Sequence, residues 1–430
     1  MLLLAFGATD AGAKTFEVTK KGDPVPGQCK ASDCSLREAV LAANDRPGAD
    51  IAVLPSRKGA YKLTRPNKIK GVSENAGQLG DLDASGRLTV KHAGKGRARI
   101  DAGGIDRAFD LAAGSRVRLI KLKLVNGVAT FPGPPPRAER RFGGNEGGAV
   151  RALGATLDVV RSSFTRNEGN LGGAIFSAPQ TSVIVSRSKF AANSSFGQIL
   201  TYGQLRVGRS TFTRNPVGPG VYPIGGGTFK RTTIAGNAEE GIRISGGSGT
   251  VRINASTISG NEGGGIRSQV DLRIVNSTVA GNDDTAIVFN DPGLLLTLVS
   301  STIVDNSAST PATPGGLALN ASSASVVNTI LARNRNSEGD LADCEGNVDS
   351  EGGNLISEAG GCPGFEPGGG DFLATAIGLR QLAANGGPTK TMALKRGSPA
   401  IGKAVEAAAP KRDQRGRKRD NDPDSGAYEK

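Results

Sequence analysis

Residues 251–282 read VRINASTISGNEGGGIRSQVDLRIVNSTVAGN, and the eleven residues that open this stretch return at its end as LRIVNSTVAGN. The same pattern extends outward in both directions, as LDVVRSSFTRN (157–167), VIVSRSKFAAN (183–193), LRVGRSTFTRN (205–215), GTFKRTTIAGN (227–237), LTLVSSTIVDN (296–306) and ASVVNTILARN (324–334). Successive asparagines lie 26, 22, 22, 24, 21, 24 and 28 residues apart. Three positions before each asparagine is apolar, five before is Ser or Thr, and eight before is again apolar. Short alternating runs broken by Gly and Asn read as strands. A unit of this length holding two or three of them is one rung of a parallel β-helix. A single rung cannot bury its inward residues, so stacking about 4.8 Å apart creates the core. The fold class is all-β, a single-stranded parallel β-helix of about ten rungs from residue 87 onward. The asparagine is expected where the chain turns, because Asn tolerates the left-handed conformation. Stacked Asn amides are also expected to bond along the ladder.

Composition agrees with a layered core of small aliphatics. Among 430 residues there are 63 Gly, no Trp and 4% aromatics. The net charge of +13 is concentrated: residues 57–141 carry 19 basic and 7 acidic groups, a local +12. Such a field attracts polyanions. The first residues, MLLLAFGATDAGAK, read as the end of a secretory signal with an A-x-A site, whose start precedes Met1. No later run is long and apolar enough for a transmembrane helix. Four cysteines, Cys29, Cys34, Cys344 and Cys362, allow three pairings. Sequence-local pairs, Cys29 with Cys34 and Cys344 with Cys362, suit an exported protein. The spacings and the single histidine, His92, argue against zinc.

Open solenoid ends need caps. Residues 34–44, CSLREAVLAAN, supply one: Ser35 and Glu38 form a capping-box pattern, and Leu36, Ala39, Val40 and Ala43 share a helical face. This stretch resembles the signature of bacterial CSLREA-domain proteins. GDLDASGRLTV (80–90) and IDAGGIDRAFDL (100–111) resemble the first rungs of the same right-handed, pectate-lyase-like solenoids. The tail, from QLAANGGPTKTMALKRGSPAIG (381–402) to DQRGRKRDNDPDSGAYE (413–429), resembles the choice-of-anchor Q domain that often ends them. The resemblance implies an exported or surface solenoid and no particular activity. The expected organisation is a signal remnant over 1–13, an N-terminal cap over 14–56, the solenoid over 57–342 and a choice-of-anchor Q-like region over 343–430. No anchor follows that motif, so free secretion is expected, as a monomer.

Enzyme motifs of this fold are mostly missing. Pectin hydrolases of the fold share N-T-D, D-D and G-H-G motifs; here Asp283 and Asp284 stand without any G-H-G. Mannuronate epimerases carry D-P-H-D, against NDPG (290–293) here. A lyase would use an Arg or Lys base and Ca²⁺ on carboxylates. Asp283, Asp284 and Asp305 are the candidate cage, and solvated turns are the plainer reading of all three. The glycine loops GGNEGGAV (143–150) and GNEGGGI (260–266) lack the Lys-Ser/Thr of a phosphate loop and recur with the repeat.

One column departs from the unit. Six residues before the asparagine stand Arg161, Arg187, Arg209 and Arg231, where later rungs carry Ala255, Asn276, Ser300 and Asn328. Stacked guanidiniums repel, and each gains from an anion bound bidentately. Arg166 and Arg214 lie close in the pattern. With aromatics scarce, charge rather than ring stacking should dominate any sugar binding. The Pro-rich basic insertion at 128–145 reads as an overhanging loop or a spacer. The expected function is a secreted, non-enzymatic scaffold binding acidic polysaccharide or another anionic surface polymer, with no obligatory cofactor. The alternatives are a polysaccharide lyase and a structural spacer or adhesin. Export argues against nucleic acid as the partner.

Overall fold

The computed structural model describes residues 12–56, 58–66, 77–129, 144–247, 249–366 and 370–430. The signal-like residues 1–11 and most of the Pro-rich insertion lie outside the described residues. The chain is an all-β, right-handed parallel β-solenoid of about 11 turns with almost no helix. It divides into two compact units, Met1–Asn170 with Ala174–Val183, and Leu171–Gly173 with Ile184–Lys430.

Each rung has three strands, here called A, B and C in chain order. In the first unit the A column runs Leu82–Ala84, Phe109–Leu111, Val150–Ala152 and Ile175–Ser177. Its B column runs Thr15–Glu17, Ala49–Leu54, Arg87–His92, Arg116–Ile120 and Thr156–Val160. Its C column runs Tyr61–Lys62, Ala98–Asp101, Leu122–Val125 and Ser163–Thr165. The helix Leu36–Asn44 packs on Ala49–Leu54, Leu82–Ala84 and Arg87–His92. Its capping box is formed: Ser35 Oγ accepts from Glu38 N at 3.2 Å, and Glu38 Oε2 accepts from Ser35 N at 2.6 Å. The expected apolar face is buried, and so is Arg37, which an amphipathic reading would have placed in solvent.

In the second unit the C column runs from Lys189–Ala191 through Thr211–Thr213, Thr233–Ala235, Thr257–Ser259, Thr278–Ala280 and Thr302–Val304 to Ile330–Ala332. Inward residues stack on their own kind; the Phe190 and Phe212 rings lie parallel, with centroids 4.7 Å apart. Each such buried side chain contributes about 1.5–3 kcal/mol. The Ser/Thr column is also buried, and each hydroxyl serves the rung before it. Ser256 Oγ accepts from Thr232 N at 3.1 Å, and Ser277 Oγ from Ser256 N at 3.2 Å.

The asparagines are not the left-handed residues, contrary to expectation. They are buried, and the left-handed residue is the one before: Arg214 (φ 55), Gly236 (φ 62), Gly260 (φ 59), Gly281 (φ 61) and Asp305 (φ 59). The amides instead form the expected ladder. Asn237 Nδ2 donates to Asn261 Oδ1 at 2.8 Å, Asn261 to Asn282 at 2.9 Å, Asn282 to Asn306 at 2.7 Å and Asn306 to Asn334 at 2.9 Å. Each Oδ1 also takes the previous asparagine's backbone N–H, as at Asn237 N to Asn261 Oδ1, 3.2 Å. The glycines of GNEGGGI serve the next rung by leaving room: a Cβ on Gly265 would lie 2.3 Å from Ala286 O.

The C-terminal region doubles back within the second unit. A hairpin of Leu379–Ala383 and Thr391–Leu394 covers the outer C face, packing Met392 and Leu394 with Ala280, Val304, Ile330 and Leu355. The tail fastens this contact. Gln414 bonds Ser256 O, Thr257 Oγ1 and Thr278 Oγ1, and Arg419 bonds Asn276 Oδ1 and Glu429.

Candidate functional site

Every B–C corner of the regular rungs is a single left-handed residue. In the first unit this is Lys121 (φ 55) and Arg161 (φ 50); in the second it is Arg187 (φ 49), Arg209 (φ 51), Arg231 (φ 55), then Ala255 (φ 50), Asn276 (φ 46), Ser300 (φ 45) and Asn328 (φ 54). A lone left-handed residue points its side chain away from the core, so within each unit these corners form a line of outward projections. Arg161, Arg187 and Arg209 are exposed, and Arg231 is half-buried. Among the described residues none of the four joins an ion pair, whereas other arginines are neutralised in place. Arg118 sits on Asp158 at 2.8 Å, Arg333 on Asp305 at 2.6 Å, and Arg243 and Arg267 share Glu240 at 2.7 Å each. Arg97 occupies the equivalent place one rung before Lys121, as the pairing of Ala98 with Leu122 requires. These two cations were missed because their rungs lack the asparagine that marks the others. Arg166 (φ 56) and Arg214 (φ 55) are also exposed, but at the opposite edge of their C strands.

The switch from arginine to small or amide residues has a structural cause. At Ala255, Asn276 and Asn328 the C-terminal region lies on the corner: Thr389 Oγ1 donates to Ala255 O at 3.2 Å, Asn276 Nδ2 to Arg412 O at 2.7 Å and Asn328 Nδ2 to Val405 O at 2.9 Å. A guanidinium stem would collide there. The arginines stand on the rungs that this region leaves open.

The three aspartates of the candidate calcium cage do not converge. Asp305 is occupied by Arg333, Asp284 accepts from Thr285 N at 2.7 Å and from Ser309 Oγ at 3.1 Å, and Asp283 is exposed. Among the described residues no group of three or more carboxylate, His or Cys side chains is placed to hold a metal. His92 is structural, with Nδ1 2.9 Å from Leu54 O. The disulfides are the sequence-local ones, Cys29–Cys34 and Cys344–Cys362, with Cα atoms 4.4 and 5.8 Å apart.

Two further polar groups were not legible from the repeat. Beside the strands Val221–Pro223 and Ile242–Ile244 of the second unit, Phe196 meets Tyr222 edge-on, and Arg243 lies over the Phe196 ring, with Glu240 neutralising it. In the first unit, Asp81, Asp83, Asp106, Asp110 and Glu146 surround Arg107 and Arg151 beside a cleft of about 320 Å³ lined by Asn44, Asp83, Asp110 and Arg151. Arg107 Nη1 reaches Asp81 Oδ2 at 3.0 Å, and its Nη2 donates to Gly144 O at 2.7 Å. Burial pushes Asp81 well above the usual carboxylate range and raises Asp106 and Glu146. An acid raised in the folded state keeps a proton that the unfolded chain has released. This part of the fold is therefore more stable at mildly acidic pH and loses stability as pH rises through the raised values. Hydrogen exchange at Phe109–Leu111, corrected for intrinsic rates, should show more protection near about pH 5 than about pH 7.5. Asp106→Asn should flatten that difference, and the opposite trend would contradict the assignment.

Residues 149–335 match the family model described as a right handed beta helix region. No curated protein sequence matches the chain. Among solved structures the chain is similar to pectate lyase Pel9A, with TM-score 0.50 and 15% identity over 98% of this chain and 97% of that one. It also aligns with the PL6 family alginate lyase AlyGC, with TM-score 0.41 and 12% identity over 84% and 55% of the two chains. A third is the mannuronan C-5 epimerase AlgE6 A-module of Azotobacter vinelandii, with TM-score 0.34 and 14% identity over 84% and 98%. At 15% identity the likeness to Pel9A is one of fold.

Proposed function

We propose that this protein is an exported β-solenoid that binds an acidic polysaccharide through the arginines of its B–C corner. The observation that carries the reading is the unpaired state of Arg187, Arg209 and Arg231 on consecutive rungs, beside arginines that are paired. Like charges held about 4.8 Å apart raise one another's energy and are relieved by a bound polyanion. Arg97, Lys121 and Arg161 repeat the motif in the first unit. Two disulfides support an oxidising, extracellular setting. The resemblance of residues 34–44 and 413–429 to CSLREA and choice-of-anchor Q sequences supports export as well. Pectate lyase Pel9A, a protein of similar fold, is by name a polysaccharide-acting enzyme, which favours a glycan over other polyanions.

The test is titration of polygalacturonate or alginate at low and high salt, with Arg187→Asn/Arg209→Asn/Arg231→Asn as the variant. Asparagine is chosen because Asn276 and Asn328 hold the same left-handed position in this chain. Affinity should fall steeply with ionic strength. The triple variant should lose about threefold to 150-fold at low salt, since three exposed charge contacts contribute about 0.2–1 kcal/mol each. Binding indifferent to salt, or none at low salt, would overturn the proposal.

The lyase reading has one observation in its favour, the first-unit cleft in which Arg151 meets Asp110. Unsaturated uronate released from either polymer would establish it.

A further inference from the structure

Beside the corner arginines of the second unit, the outward face of the C strands is paved with hydroxyls. Thr211, Thr213 and Thr233 are half-exposed, and among the described residues their hydroxyls hold no hydrogen bond. The column of Thr211 and Thr233 continues as Thr257, Thr278 and Thr302, which are buried because the C-terminal region lies on them. There the hydroxyls are engaged rung by rung. Thr257 Oγ1 donates to Lys390 O at 2.6 Å, Thr278 Oγ1 donates to Gln414 Oε1 at 2.6 Å, and Thr302 Oγ1 accepts from Ala427 N at 3.0 Å. The chain's own polar groups thus already occupy half of this face with about one hydroxyl contact per rung. The open half offers the same column and adds a cation at each corner.

We propose that this open face is a groove for a linear 1,4-linked polyuronate lying along the column, with one carboxylate on each of Arg187, Arg209 and Arg231 and sugar hydroxyls on Thr211 and Thr233. The proposal rests on the acidic-polysaccharide reading and specifies it. Rungs repeat about every 4.8 Å. A 1,4-linked pyranose advances its chain by a comparable step, and successive sugars turn about the chain axis, so a polymer with a carboxylate on every sugar offers one per rung that the long arginine side chains reach at either edge of the ribbon. A polymer with a carboxylate on every second sugar leaves alternate arginines unmatched. Among the described residues the floor carries no aromatic ring, which suits a ligand held by bidentate charge contacts and hydrogen bonds rather than by stacking. Lys189, exposed in the same column, adds a further cation. At Arg231 the groove is closed: a Cβ on Gly416 would lie 3.9 Å from Arg231 Nη2, so the C-terminal region abuts the last arginine.

Calorimetric titration with oligomannuronates of two to six sugars, and with hyaluronan oligosaccharides of the same lengths, tests the register. Uronate affinity should rise by about tenfold between the disaccharide and the tetrasaccharide and then flatten, and hyaluronan of equal length should bind about tenfold more weakly. Thr211→Val/Thr233→Val keeps β-branching in both strands. It should lower uronate affinity by about tenfold while leaving the salt dependence unchanged. If hyaluronan binds equally well at each length, or the valine pair binds as the parent does, the groove is wrong and the acidic-polymer reading stands. If no uronate binds at low salt, both fall.

Discussion

Replacing Arg37 by alanine is expected to lower stability by about 3–5 kcal/mol, the range for removing one partner of a buried ion pair. Arg37 is 1% exposed, on the helix Leu36–Asn44, and every guanidinium nitrogen is used. Nε and Nη2 grip Asp23 at 2.7 and 3.0 Å, while Nη1 and Nη2 tie the carbonyls of Gly77 (2.8 Å), Leu79 (3.2 Å), Gly80 (2.9 Å) and Asp81 (2.7 Å). Without it, Asp23 is a buried carboxylate whose remaining partner is Thr64 N, and four carbonyls of one loop lose their donor. Arg37→Lys should rescue only part of the loss, because a single ammonium cannot span both edges of the site. Denaturant melts that place alanine within about 1 kcal/mol of the parent would refute this account. The sequence Cys34–Ala39 thereby acquires a physical reading residue by residue. Cys34 closes a disulfide, Ser35 and Glu38 cap the helix, Leu36 and Ala39 enter the core, and Arg37 fastens the helix to the loop at 77–81.

What could be read from the sequence depended on whether a role leaves a period behind it. The apolar and Ser/Thr columns recur at fixed offsets, so the solenoid and its hydroxyl column are legible in the sequence. The asparagine was just as visible, yet its backbone role was misplaced by one residue. Asn is favoured both by left-handed turns and by side-chain ladders, and residue identity alone does not separate the two. The neighbouring position, variously Arg, Ala, Gly and Asp, carries the left-handed φ and shows no consensus. The arginine corner was found for the same reason that the repeat was, and Arg97 and Lys121 were lost with the asparagine marker. Arg37 was illegible because helical patterning assigns charged residues to solvent. The docking of the C-terminal region leaves one trace in the sequence, the change from Arg231 to Ala255, and its cause is the contact of Thr389, Arg412 and Val405 with those corners.

The second large effect is expected at Asp343, where the asparagine ladder ends. Along the ladder each Nδ2 donates to the next Oδ1, so every member both gives and takes. Such a chain must finish on a group with nothing left to donate. Asn334 passes its Nδ2 to Asp343 Oδ1 at 2.9 Å and its backbone N–H to the same oxygen at 3.0 Å. The other oxygen accepts from Ser357 N (3.0 Å), Ser357 Oγ (2.6 Å) and Glu358 N (2.9 Å). Five donors converge on one fully buried carboxylate, which only an acceptor on both oxygens can satisfy. Asp343→Asn, nearly identical in shape, turns one oxygen into a donor that faces other donors. Either Asn334 or the pair Ser357 and Glu358 is then left unsatisfied in the interior, at about 1–3 kcal/mol for each stranded group. The expected loss is about 3 kcal/mol or more, larger than for an exposed change such as Asp349→Asn on the neighbouring strand, which should stay within about 0.5 kcal/mol. Because the ladder is directional, the damage should also be polarised. Amide exchange should accelerate at Asn334, Ser357 and Glu358 and leave Asn237 and Asn261 as they were. An equal acceleration along the whole ladder, or no change in stability, would show that the carboxylate is not its terminator.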